Sequence, residues 1–551
     1  MRLSNTAALL AAAAAVVALA LAGCGSGSVS VPTTSATEPS STQVPDTSSA
    51  VTEPDGSVGA ATNMTTGSAV IDASFTGLKE PHRVDEAGEA VLVTFAESAA
   101  SSESAAVTSM DRTVTISGGG TYRLTGELTG QVVVDAGEEK VVLVLDGLTV
   151  SSATDSALAI TSADEVTIVL AEGSRNSLSD GSGYSTSEDN VPNAALYSAD
   201  DLSITGTGEL ALVGNTNDGI ASKDGLVIES GTITVDAVDD GIRGKDYVYV
   251  TGGDITVAAG GHALKADNTD DATVGWVALL GGTQDLSASE DGINAQSVLL
   301  GAATTTISAG DDGIHADGTM VVDGAALTVA GSYEGLEALQ MTMAGGSIEV
   351  HATDDGINIA GGDGSQAVGR PGDTFAALDD AWVEITGGEI TLHAEGDGFD
   401  SNGSATMSGG TLTVYGPTMN GNGAIDVNGT FEVTGGTLLA GGASGMAEVP
   451  DSSSSQGWVS VTFSTSVAAG TTLELADSTG AMLASYTSGK TLSSVVYSAS
   501  GITSGEEYTV IADGTEIGTV TAGVHSGGFG GGPGGGAGGG AGGGAGGAPG
   551  G

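Results

Sequence analysis

The sequence predicts an all-β protein: a right-handed parallel β-helix solenoid of about 22 residues per coil, closed by a small C-terminal β cap or domain. Three observations predict it. An acidic turn followed by Gly and an aliphatic residue recurs at nearly constant spacing. Each unit also holds a second phrase in which aliphatic and polar residues alternate, as in Gly345-Gly-Ser-Ile-Glu-Val. Finally, 92 glycines in 551 residues, with 40% hydrophobic but only 4% aromatic content, describe many short strands and tight turns packed on small side chains.

The repeat is read from Asn217-Asp218-Gly219-Ile220, Asp239-Asp240-Gly241-Ile242, Glu290-Asp291-Gly292-Ile293, Asp311-Asp312-Gly313-Ile314, Tyr333-Glu334-Gly335-Leu336, Asp354-Asp355-Gly356-Ile357 and Gly396-Asp397-Gly398-Phe399. Gly260-Gly-His262-Ala-Leu264 fills the same slot without acids. Ile220, Ile242 and Leu264 are 22 residues apart, and the steps from Ile293 to Ile314, Leu336 and Ile357 are 21, 22 and 21. A unit of that length, holding two or three short strands between Gly-rich corners, is one coil of a solenoid whose strands pair with their counterparts about 4.8 Å above and below. Longer steps place projecting loops at about 172 to 192, 267 to 276 and 361 to 381.

The flanks differ. Residues 1–23 have the form of a lipoprotein signal peptide, with Arg2, an apolar run too short to span comfortably, and Leu21-Ala22-Gly23-Cys24, which resembles a lipobox. Cys24, the only cysteine, is then the acylated first residue of an extracytoplasmic protein anchored to the outer face of the cell membrane. Residues 24–68 form a Ser/Thr/Pro tether and 525–551 a Gly-rich tail, both expected to be disordered. The β-helix occupies 69–455, and 456–524, which lose the acidic turn but keep alternating strands, form the C-terminal cap or domain. A net charge of −56 excludes nucleic acid as a partner and favours divalent cations. A monomer is expected.

Stacking turns the acids into columns. Two carboxylates about 4.8 Å apart repel by about 3 kcal/mol at an effective dielectric near 20, so a column needs an offset, and Ca2+ with its six to eight oxygen ligands suits it. The candidate ligands are Asp239, Asp240, Glu290, Asp291, Asp311, Asp312, Asp354 and Asp355, with Asp218, Glu334 and Asp397. Against this stands plain turn chemistry, with Asp bonding local amides and Gly taking a positive φ.

Lys223, Arg243, Lys245 and Lys265 should form one patch, because Lys223 and Lys245 share the third position after the turn aliphatic while Arg243 and Lys265 share the first. Such a patch suits a uronate carboxylate, and a Lys beside calcium also suits proton abstraction in β-elimination; balancing neighbouring acids is the plainer role. Trp276, Tyr333, Trp382 and Tyr415 are candidates for stacking on sugar rings or for strand-end packing. His351 and His393 occupy matching places, yet two histidines without a third ligand read as surface residues rather than a zinc site.

Through Tyr333-Glu-Gly-Leu-Glu-Ala, Asp354-Asp-Gly-Ile-Asn, Gly396-Asp-Gly-Phe-Asp-Ser-Asn-Gly, Val414-Tyr-Gly-Pro and Gly421-Asn-Gly-Ala-Ile-Asp the chain resembles a family of bacterial exported carbohydrate-binding domain-containing proteins. These are parallel β-helices related in shape to pectate lyases. The resemblance covers roughly residues 110 to 525. It implies calcium sites and binding to polysaccharides such as cellulose or pectic acid, without established catalysis. A calcium-dependent polysaccharide lyase and an adhesin or structural surface protein are the competing readings.

Overall fold

The computed structural model describes residues 68–85, 87–186, 191–360 and 377–525. The signal peptide with Cys24, nearly all of the tether, the Gly-rich tail after residue 525 and most of the insertion at 361–381 lie outside these residues.

Among the described residues the protein is all-β apart from one short helix, Ala69–Ser74. One mixed sheet takes in 39 strands, and a second, antiparallel sheet takes in four. From about residue 158 onward the chain runs through three parallel ladders in turn, each strand pairing with its counterpart one rung earlier and one rung later. The first ladder carries the strand after the acidic turn: Asp218–Ser222, Ile242–Gly244, Leu264–Ala266, and on to Ile425–Val427. The second runs through Gly225–Ile228, Tyr247–Val250 and Trp276–Leu279. The third runs through Thr232–Ala237, Asp254–Ala259 and Thr283–Ala288.

Register follows the repeat. Ile220 pairs with Ile242, Ile242 with Leu264, Leu264 with Ile293, and so on through Ile314, Leu336, Ile357, Phe399 and Ile425. Every one of these side chains is buried in one continuous core. Alternation sets the third ladder: Thr232–Ala237 and Ser347–Ala352 both alternate exposed and buried residues, so Ile233, Val235, Ile348 and Val350 fill that core. Burying such aliphatics contributes about 1.5–3 kcal/mol each, and the identical register repeats that gain rung after rung.

Glycine has two distinct tasks. The second glycine of the Gly-Gly corner before the third ladder has a positive φ, 93° at Gly253 and 100° at Gly346. The glycine of the acidic turn does not, contrary to the turn-chemistry expectation. It is required by close approach: a Cβ on Gly313 would lie 2.5 Å from the Gly335 carbonyl oxygen and 2.7 Å from a Val329 methyl.

Insertions enter at two corners. That at 267–275 leaves between the first and second ladders, and 361–381 falls at the same corner. The loop expected at 172 to 192 begins later, because Arg175–Ser179 is a strand of the third ladder. The stack ends at Thr437–Gly442, whose open edge is paired antiparallel by Leu492–Ser498. Residues 68–85 lie against the second ladder, where Ile71 and Phe75 pack on Tyr247 and Trp276, and Lys79 bridges Asp224 and Asp246.

Candidate functional site

Ladder register decides which acids meet. In three doublets the two acids part company: Asp239, Glu290 and Asp311 are exposed, whereas Asp240, Asp291 and Asp312 are buried; in the fourth, Asp354 and Asp355 are both half-buried. The buried position forms a column with Asp218, Glu334, Asp355 and Asp397. Asp354 and Tyr333 occupy the outer position, Asp354 half-buried and Tyr333 exposed.

One oxygen of the buried acid caps the next rung. The Asp240 carboxylate accepts from the His262 amide at 3.1 Å, Asp291 from the Asp312 amide at 3.0 Å, and Asp355 from the Asp397 amide at 2.6 Å. The turn-chemistry expectation is therefore half right, since the acid does bond an amide, but in the neighbouring rung rather than its own turn. A hydrogen bond to a carboxylate contributes about 1.5–3 kcal/mol, which accounts for the second acid but not for its remaining oxygen.

That oxygen looks toward the residue after the turn aliphatic, and here the upper and lower rungs differ. In the upper rungs this second column supplies cations and amides. Lys265 Nζ is 3.1 Å from Asp240, Asn294 donates to Asp291 at 2.8 Å, and His315 Nδ1 lies 3.1 Å from Asp312 and 2.9 Å from Glu337. His262, at the acid position itself, reaches Glu290 at 3.1 Å and Asp291 at 3.3 Å. His315 is pushed up to about 12 by its bonds to Asp312, Asp317 and Glu337, so it stays an imidazolium and serves as the counter-charge. Protein cations thus meet the repulsion that the sequence assigned to calcium in these rungs.

In the lower rungs the second column turns acidic. Glu337 is followed in register by Asn358, Asp400 and Asp426. Facing them are Glu334, Asp355 and Asp397, with Glu448 arriving from the chain after the last rung, where it accepts from the Val427 amide at 3.0 Å. No ion pair to any of Glu334, Asp355, Asp397, Asp400, Asp426 or Glu448 occurs among the described residues. Burial first, then mutual repulsion, pushes these groups up: Asp355 to about 8 with Asp397 as the largest charge, and Asp400 to about 9 with Asp355 and Asp426. Glu334 and Glu448 rise to about 7 and Asp397 to about 6, each chiefly by burial.

One neutral atom marks the same place. Asn358 Nδ2 donates to Glu334 at 2.7 Å, which aims its Oδ1 the other way, and that oxygen is buried without a hydrogen-bond partner. An orphaned acceptor beside carboxylates that lack a cation is a donor set of oxygens only, which fits a hard divalent ion. Asp218, at the other end, is different: sealed and pushed up to about 8 by burial and then by Asp240, it is held by Asn193 at 2.9 Å and Asn217 at 2.8 Å.

The basic residues gather as predicted. Arg243 pairs in register with Lys265, and Lys223 and Lys245 follow one rung apart. Arg243 is spent on Asp267 and Lys265 on Asp240, but neither Lys223 nor Lys245 has a carboxylate within 4.0 Å among the described residues. Burial, then the nearby Arg243 charge, lowers the Lys223 pKa.

The aromatic candidates scatter. Trp276 is fully buried, stacked on Tyr247 at 4.7 Å and met edge-on by Phe75, so it is not a sugar platform. Trp382 is half-buried in the second ladder between Gln340 and Ser404. Tyr333 is exposed, and Tyr415 stacks on His393 at 4.6 Å. Asp400, Asp426, His315 and Glu337 are not among the sequence candidates; the count that puts Arg243 and Lys265 in one column reaches His315, Glu337 and Asp400, whereas Asp426 follows Ile425, beyond the recognised repeat, and only the ladder places it.

Residues 110–361 match the family described as carbohydrate-binding domain-containing protein. Over that span the chain is similar to this family. A carbohydrate-binding domain-containing protein of Acetivibrio thermocellus is 44% identical over 189 residues, covering 34% of this chain and 66% of that protein. The chain thus spans just under two thirds of that relative's length. A solved structure described as the polysaccharide lyase-like protein from C. thermocellum, gadolinium derivative, is 33% identical, covering 43% of this chain and 98% of that one, with a TM-score of 0.42.

Proposed function

We propose that this chain is an exported, lipid-anchored surface protein that binds polysaccharide, cellulose or pectic-acid-like, without catalysis, on a calcium-stabilised right-handed parallel β-helix. The three parallel ladders support the winding, since parallel crossovers are right-handed in nearly all folds. The orphaned Asn358 Oδ1 amid Glu334, Asp355 and Asp400 supports calcium in the lower rungs. Asp397, Asp426 and Glu448 are further oxygen donors there.

The observation that carries polysaccharide binding is the pair Lys223 and Lys245, adjacent in register and unspent on protein acids, within a segment of carbohydrate-binding family. One rung's spacing between two ammonium groups suits successive charges or hydroxyls of a linear polymer. On a surface this acidic, a polyuronate needs calcium as well. Depletion onto insoluble cellulose and pectate, with calcium and with chelator, tests the reading. Retention of pectate in calcium and its loss in chelator is expected; retention of neither polymer refutes it.

A second reading is favoured by Lys223 alone. A Lys whose pKa is lowered spends more of its time as the neutral amine that can accept a proton, and abstraction of the proton α to a uronate carboxylate would make the protein a lyase. Incubation with polygalacturonate would then yield an ultraviolet-absorbing unsaturated product, abolished by Lys223→Ala; no product at high protein concentration removes this reading.

A further inference from the structure

A second group of metal-type donors lies on the third ladder, away from the acid columns. Glu349 and His351 are two apart on Ser347–Ala352 and so project from one face, and His393 on Glu389–Ala394 is the register partner of His351. One donor atom from each of Glu349, His351 and His393 lies within 4.8 Å of the other two. His351 Nε2 is 3.0 Å from Glu349 Oε1, and the two imidazoles stack at 4.3 Å with their planes 3° apart. The sequence offered two histidines without a third ligand; the strand supplies the third as Glu349.

We propose that Glu349, His351 and His393 form a site for a borderline divalent transition ion, Zn2+, Ni2+ or Cu2+, distinct from the oxygen-lined columns. Two imidazoles and one carboxylate are the donors such ions prefer and calcium does not. Three protein ligands leave a position for water, as expected where Glu349 and His351 are exposed.

The other cluster of this type, Asp312, His315 and Glu337, makes the contrast. There the ring is an ion-paired imidazolium with no lone pair to offer. His393 makes no ion pair among the described residues, and His351 meets only the exposed Glu349. The nearby cation, Lys490, is engaged by Glu395 at 2.9 Å and by the Ala394 carbonyl at 2.6 Å. Parallel rings aim their lone pairs along parallel lines, so the imidazoles must rotate out of their stack for both to reach one ion. His351, on the surface, has room to do so.

The test uses the full chain, stripped with EDTA and returned to millimolar calcium so that oxygen sites are filled. Calorimetric titration with Zn2+ and electron paramagnetic resonance of the Cu2+ form are then read. We expect Zn2+ binding that calcium does not displace, and Cu2+ couplings from more than one imidazole nitrogen. His393→Ala and His351→Asn should each weaken Zn2+ binding about tenfold or more, while His315→Asn leaves it unchanged; circular dichroism confirms that each variant is folded. Binding equal in wild type and His393→Ala, binding abolished by His315→Asn, or no Zn2+ binding in calcium overturns the proposal.

Discussion

Replacing Asp400 by Asn should stabilise the metal-free protein. Asp400 sits between Asn358 and Asp426 in the first ladder, and burial with the charges of Asp355, Asp426, Asp397 and Glu334 raises it from 3.8 to about 9. At pH 8 the folded chain therefore keeps a proton that the unfolded chain has released. At about 1.36 kcal/mol per pH unit the cost approaches roughly 5 to 6 kcal/mol. Asp400 is not sealed from water, so solvent screening brings the expected effect to about 2–4 kcal/mol. Asparagine keeps the shape and never ionises. Thermal unfolding followed by circular dichroism in EDTA at pH 8 should show Asp400→Asn melting several degrees above wild type, with the gap shrinking at pH 5. If calcium fills the lower rungs as proposed, the order should reverse in millimolar calcium, because the variant would lack one charged ligand. A variant that melts below wild type in EDTA at pH 8 would refute the reasoning.

Further outcomes follow from the same columns. In EDTA the wild-type denaturation midpoint should fall as pH rises from 5 to 8. Asp355, Asp400, Glu334 and Glu448 have folded pKa values above their unfolded ones, so the folded chain binds more protons throughout that window; a midpoint that rises contradicts this. His315→Asn should cost about 3 kcal/mol at pH 6 by leaving Asp312 and Glu337 without their cation, measured by urea unfolding, and an unchanged midpoint would show that the imidazolium is not the counter-charge. Gly313→Ala should cost about 1–3 kcal/mol by overpacking against the next rung. Gly331→Ala, whose added carbon meets nothing within 4 Å, should stay within about 0.5 kcal/mol. Lys223→Ala with Lys245→Ala should lower pectate retention without moving the melting temperature; unchanged retention would place the polymer elsewhere.

Much of the architecture was legible because a repeat reports register directly. Counting from Ile220 to Ile242 to Leu264 placed Arg243 beside Lys265, and the ladders pair them so. What spacing cannot report is which of two adjacent turn residues points inward, so Asp239 and Asp240 looked equivalent until one proved exposed and the other buried. Nor does it reveal a counter-charge from outside the doublet. His315 and Lys265 neutralise the upper acids from the column after the aliphatic, which the sequence reading had followed only for basic residues. Glu448 reaches the lower acids from beyond the last rung and carries no periodic signal. Of the two roles the sequence leaves open for Trp276, packing is the one it takes, and spacing could not decide this because the segment that covers it, Ile71 and Phe75, lies some two hundred residues away in sequence.

The most direct measurement is a calorimetric calcium titration of EDTA-stripped protein at pH 7.5, repeated in buffers of differing ionisation enthalpy to count protons. If the lower carboxylates hold protons in place of a metal, calcium must displace them, and net proton release should accompany binding and shrink in Asp400→Asn. Absence of calcium binding, or binding with no proton release, would contradict the account.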